Sequence, residues 1–135
     1  MKPVKKRALY AADREETCEI LTALLALRGV EVVTAPSLLT ALLTARGQVF
    51  NLYVLDAEFW GGAGVRLCRS IREFDPLTPI LLLSSAARGG ACREALEAGA
   101  THCVFKSDVT GLVEALSRVT SAAVRDDSPA TSARR

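Results

Sequence analysis

Asp13, Asp56, Ser84 and Lys106 each stand at or just past the end of a short apolar run. "ALYAA" leads to Asp13, "LYVL" to Asp56, "PILLL" to Ser84 and "THCVF" to Lys106. If the runs are neighbouring strands, their ends gather at one edge of a sheet, where open α/β proteins bind ligands. Two carboxylates, a hydroxyl and an ammonium brought together suit magnesium-assisted phosphoryl transfer far better than glycoside hydrolysis. Mg²⁺ takes oxygen ligands from one or two carboxylates and bridges to phosphate. A carboxylate can itself attack phosphorus and form an aspartyl phosphate. A lysine and a hydroxyl then hydrogen-bond the oxygens that carry the charge. Asp56 has no evident structural task where it stands. Asp13 has one, as N-cap of the helix that follows, and Ser84 and Lys106 also read as a strand-end serine and an edge charge.

The elements that must position these residues follow from the pattern of the chain. Residues 7–12 (RALYAA), 30–35 (VEVVTA), 51–56 (NLYVLD), 79–85 (PILLLSS) and 101–106 (THCVFK) are expected as strands. Between them lie helix-length amphipathic segments: "DREETCEILTALLALRG", "SLLTALLTARG", "GVRLCRSIREF", "ACREALEAG" and "VTGLVEALSRVTSAA". Asp13 and Glu16 form a capping-box pattern at the first helix and Gly29 its C-cap. Gly47 closes the second helix, Asp75-Pro76 stops the third and Asp108 caps the fifth. Strands that carry apolar runs rather than alternation, separated by single helices, imply a parallel sheet covered on both faces. Right-handed crossovers leave few topologies, and a doubly wound α/β fold of order 2-1-3-4-5 is expected. It would put Asp13 and Asp56 at the switch point between strands one and three.

The bulk properties agree with one domain. The chain has 135 residues, half of them hydrophobic and only 5% aromatic, so the core is expected to be Ala, Leu and Val. A net charge of +2 gives no field that would favour nucleic acid. No apolar run approaches the ~18–20 residues that span a membrane, and "MKPVKKRALYAADREE" lacks a signal-peptide pattern. The cysteines at 18, 68, 92 and 103 form no C-x-x-C, and His102 stands alone. Reduced thiols in a cytoplasmic protein are expected, and no zinc site.

Over residues 6–122 the chain resembles the receiver domains of bacterial two-component response regulators. "LYAAD" is similar to that family's acidic ending of strand one and "LYVLD" to its phosphoacceptor strand. Gly64, eight residues after Asp56, falls where the family has a loop glycine. "PILLLSS" resembles the hydroxyl-bearing fourth strand and "EAGATHCVFK" the approach to the family's lysine. The resemblance implies a flavodoxin-like, CheY-like fold of five strands and five helices. It makes Asp56 the phosphoacceptor and a Mg²⁺ ligand, with Asp13 as a second ligand and Glu58 supplying a backbone carbonyl. Ser84 becomes the switch hydroxyl and Lys106 the phosphate-pairing cation.

Four positions depart from the family. Ala12 stands where a second acidic residue usually sits beside Asp13. At an effective dielectric of about 20, a unit charge about 4 Å away is worth up to roughly 4 kcal/mol, so Mg²⁺ affinity is expected to fall about ten- to several hundred-fold. Trp60 replaces the loop proline, and either covers the site or packs on the surface. Ser107 follows Lys106 where the family has a cis proline. A cis bond before a non-proline costs about 2.5–4 kcal/mol, so a trans bond is expected, with Lys106 aimed differently. Cys103 replaces the switch aromatic, which puts the usual output coupling in doubt.

Residues 1–123 are accordingly expected to form a receiver and 124–135 a polar tail or linker. The resemblance implies a non-enzymatic phosphorelay protein, loaded by a sensor histidine kinase or phosphotransfer protein. It is expected to bind a protein partner on the helix 4–strand 5–helix 5 face, including Arg88, Cys103 and Ser107. The alternative is a pseudo-receiver, an interaction module independent of phosphorylation. A haloacid-dehalogenase-type enzyme would need D-x-D where the chain has "AADRE", and a flavin binder a hydroxyl- and glycine-rich loop where it has "DREET".

Overall fold

The computed structural model describes residues 6–12, 15–58, 63–85 and 90–126. Five strands alternate with five helices: β1 Lys6–Ala11, α1 Glu15–Ala26, β2 Val30–Ala35, α2 Leu38–Gly47, β3 Leu52–Asp56, α3 Ala63–Arg72, β4 Ile80–Ser84, α4 Gly90–Glu97, β5 His102–Phe105 and α5 Val109–Asp126. All strand pairs are parallel, and the sheet order is β2-β1-β3-β4-β5, as the sequence pattern requires.

The strands are buried on both faces because each face has its own helical layer. Leu9, Ala11, Leu55 and Leu82 pack with Ala41, Leu67, Cys68 and Ile71 on the α2–α3 side. Ala8, Tyr10, Val54, Leu81 and Leu83 pack with Leu21, Leu25, Leu112, Leu116 and Val119 on the α1–α5 side. Neighbouring residues of one strand therefore feed opposite cores, which explains apolar runs without alternation. The core departs from expectation in one respect. Tyr10 and Tyr53 are its largest fully buried side chains, so both tyrosines lie inside the sheet.

Most helix signals hold where they can be seen, though α2 ends on Gln48 as its C-cap, in extended backbone, rather than on Gly47. Gly29 takes φ +75° at the end of the first helix, where Arg28 and Gly29 donate back to Leu25 and Ala26 carbonyls. Ser37 Oγ accepts from the Thr40 amide at 3.0 Å, and Asp108 Oδ1 from the Gly111 amide at 2.9 Å. The capping box of Asp13 and Glu16 lies outside the described residues. α5 continues to Asp126, three residues past the expected end, because Val124-Arg125-Asp126 contains no glycine or proline to stop it. Among the described residues no helix is long and apolar enough to cross a membrane.

The expectation of reduced cysteines is overturned. Cys92 on α4 and Cys103 on β5 form a disulfide, with Cα atoms 5.5 Å apart. α4 packs against β5, and this brings together two thiols that no sequence motif relates. Cys68 is a free thiol in the core, its pKa pushed up by burial against the opposing charges of Arg72 and Arg69.

Candidate functional site

The register of the ladders assembles the site. Asp56, last in β3, pairs with Leu83 of β4, and Ser84, last in β4, pairs with Phe105 of β5. Two further ladder bonds prolong the strands, Ala57 N–H to the Leu83 carbonyl at 2.7 Å and Lys106 N–H to the Ser84 carbonyl at 2.8 Å. Asp56, Ser84 and Lys106 thus leave the sheet side by side at its carboxyl edge.

Lys106 Nζ lies 2.8 Å from Asp56 Oδ2. Asp56 is 1% exposed, so this ammonium is the compensating charge that permits a carboxylate to be buried here. The Lys106–Ser107 bond is trans as expected, yet Lys106 aims at Asp56 all the same. Asp56 Oδ1 accepts the Glu58 amide at 2.9 Å, which folds the chain into a tight turn after β3. Gly64 makes that turn possible. It opens α3 against the turn, and a β-carbon there would run into the Asp56 carbonyl oxygen and come within 2.9 Å of Ala57 Cα.

Glu58 contributes more than the backbone carbonyl assigned to it from sequence. Its Oε2 accepts the Ser84 hydroxyl at 3.1 Å, and its Oε1 accepts the Ser85 amide at 2.9 Å and lies 3.3 Å from Lys106 Nζ. Burial pushes this carboxyl up, but the hydrogen bonds from Ser85 and Ser84 and the Lys106 charge outweigh it and hold it below its ordinary value. Sequence reasoning missed this side chain. The available signal was a second carboxylate two residues past Asp56, facing the second serine of "SS".

Asp13, Trp60 and Arg88 lie outside the described residues. Ala12 is buried with the α1–α5 core and supplies no donor atom. Among the described residues no group of three or more His, Cys, Asp or Glu side chains could hold a metal. The donors that converge are nevertheless all oxygens, Asp56 among them as a buried anion at a sheet edge, and that chemistry fits a hard cation such as Mg²⁺.

The chain matches the response regulator receiver domain over residues 8–117. It is 32% identical over 98 residues to the transcriptional regulatory protein ZraR of Klebsiella oxytoca and 33% identical to that of Salmonella typhimurium. Each match covers 73% of this chain but only 22% of the relative. A CheY-like receiver domain protein from Methanospirillum hungatei superposes with a TM-score of 0.80 at 20% identity, over 91% of this chain and 99% of that one. The response regulator TrrA of Thermotoga maritima, solved in complex with Mg²⁺-BeF, gives 0.74 at 26% identity, over 84% of this chain and 98% of that one. Fold and family match agree, and the chain belongs to the response regulator receiver domain family of two-component signalling.

Proposed function

We propose that this receiver accepts a phosphoryl group on Asp56. The observation that carries this is the buried Asp56 carboxylate, 2.8 Å from Lys106 at the edge where β3, β4 and β5 end. An Asp56 carboxylate oxygen attacks the phosphorus of a phosphohistidine on a sensor kinase or phosphotransfer protein. The P–O bond forms as the P–N bond breaks, and the imidazole nitrogen leaves with a proton from solvent. Lys106 orients the nucleophile before transfer and pairs with a phosphoryl oxygen after it, while the Ser84 hydroxyl would serve a second. The Asp13 and Asp56 carboxylates and the Glu58 carbonyl would hold Mg²⁺, more weakly than usual because of Ala12. When bound, that ion neutralises charge on the phosphoryl oxygens.

Residues 1–126, through the end of α5, then form a non-enzymatic signalling unit in the cytoplasm, and the tail or linker begins after Asp126 rather than at Val124. The partner face on α4–β5–α5 is supported by a concavity of about 320 Å³ between β5 and α5, lined by His102, Phe105, Asp108, Glu114 and Arg118. β5 is also an edge strand of the sheet.

One observation favours the phosphorylation-independent alternative. The Cys92–Cys103 bond ties α4 to β5 and opposes the rearrangement by which a receiver would report on Asp56. The test is an acid-quenched intact-mass measurement after incubation with Mg²⁺ and phosphoramidate, with Asp56→Asn alongside. One phosphate adduct on the wild type and none on the variant is expected. A folded wild type that takes no phosphate across a wide Mg²⁺ range would transfer the weight to the alternative.

A further inference from the structure

The donors that would bind a phosphoryl group on Asp56 already hold an anion. Glu58 takes the Ser84 hydroxyl on one carboxylate oxygen, and the Ser85 amide and a contact to Lys106 on the other. A hydroxyl and an amide N–H have one proton each to give. While they serve Glu58 they cannot serve a second anion, and Lys106 already divides its charge between Asp56 and Glu58. A phosphoryl group on Asp56 would add negative charge beside a carboxylate that holds the same partners. Glu58 can leave, because its side chain is 39% exposed and follows a turn at the rim rather than a core position.

The geometry points to Glu58 as an internal competitor, whose carboxylate occupies the phosphoryl-oxygen subsite at rest and must be displaced when Asp56 is loaded. The inference rests on the proposed phosphorylation of Asp56 and names a regulator of that same site. Glu58 is a positioning residue in this account. It sets how readily the subsite opens and never meets the phosphorus. It also keeps Ser84 and Lys106 engaged in the absence of phosphate, as a built-in approximation to the loaded state.

Two readouts test this on the full chain. ¹⁹F NMR titrations with beryllofluoride and Mg²⁺ give the affinity of the subsite for a phosphoryl mimic, and intact mass gives the initial rate of adduct formation from phosphoramidate. Wild type, Glu58→Gln and Glu58→Ala are compared, with circular dichroism establishing that each is folded. Glu58→Ala is expected to bind the mimic about tenfold more tightly, the worth of one charge-assisted hydrogen bond that no longer has to be displaced. Glu58→Gln keeps the shape without the charge and should fall between, and phosphorylation rates should rise in the same order. Wild type that binds, with both variants equal to it or weaker, overturns the competitor and leaves the phosphorylation reading intact. No bound fluorine signal and no adduct in any of the three overturns both.

Discussion

At the scale of single residues, the site depends on how closely backbone and side chains approach Asp56. Gly64→Ala places a β-carbon against the Asp56 carbonyl and the Ala57 backbone, neither of which can yield as a flexible side chain would. We expect it to cost about 2–3 kcal/mol, the usual scale of overpacking, as a lower urea midpoint. A change below about 0.5 kcal/mol, typical of an unconstrained surface position, would show that the turn has room. Lys106 was legible from the apolar run before it, and Gly64 from the resemblance to the receiver family's loop glycine. Glu58 was legible only in part. The family resemblance implies a role for its backbone carbonyl, but whether the side chain turns inward depends on which donors the neighbouring strand presents.

At the scale of elements, apolar runs and caps specified the strands and helices, since a strand buried on both faces leaves a clear mark in the sequence. Boundaries were softer, as α5 shows where no breaker follows Ala123. The disulfide was not legible at all. Cys92 and Cys103 lie 11 residues apart, on a helix and a strand whose packing only the fold supplies. Closing a loop of that length removes unfolded-state entropy worth about 3 kcal/mol. Urea unfolding with and without reductant should differ by about that amount, and Cys103→Ser should behave like reduced wild type. Equal stability under both conditions would mean that the bond does not brace α4 on β5.

At the scale of the whole molecule, a second polar network sits at the opposite end of β3 from Asp56. Tyr53 donates its hydroxyl to Asp75 Oδ2 at 3.2 Å, and Asp75 Oδ1 accepts the Leu77 and Thr78 amides at 3.2 and 3.1 Å. Arg72 bridges the same corner, donating to the Gly99 carbonyl at 2.8 Å and the Asp75 carbonyl at 2.9 Å. Burial raises the Asp75 carboxyl, but the bonds from Thr78, Leu77 and Tyr53 outweigh it and hold the group below its ordinary 3.8. A depressed carboxyl stabilises the fold above its unfolded pKa, and that contribution fades as pH falls through the folded value. Asp75→Asn should therefore lower stability by roughly 1 kcal/mol at pH 7, with the gap closing toward pH 3. Parallel urea curves for the two proteins at both pH values would contradict this. Tyr53 runs the other way. Burial, then the Asp75 charge and bond, raise its pKa, so its contribution persists below pH 10 and is lost in stronger alkali.

Signalling by this receiver depends on which atom receives the phosphoryl group. Borohydride reduces an acyl phosphate to an alcohol, so an aspartyl phosphate becomes homoserine that peptide mass spectrometry can locate. After loading with phosphoramidate and Mg²⁺, homoserine at position 56 and at no other carboxylate is the expected result. An intact aspartate at position 56, with homoserine elsewhere or nowhere, would contradict it.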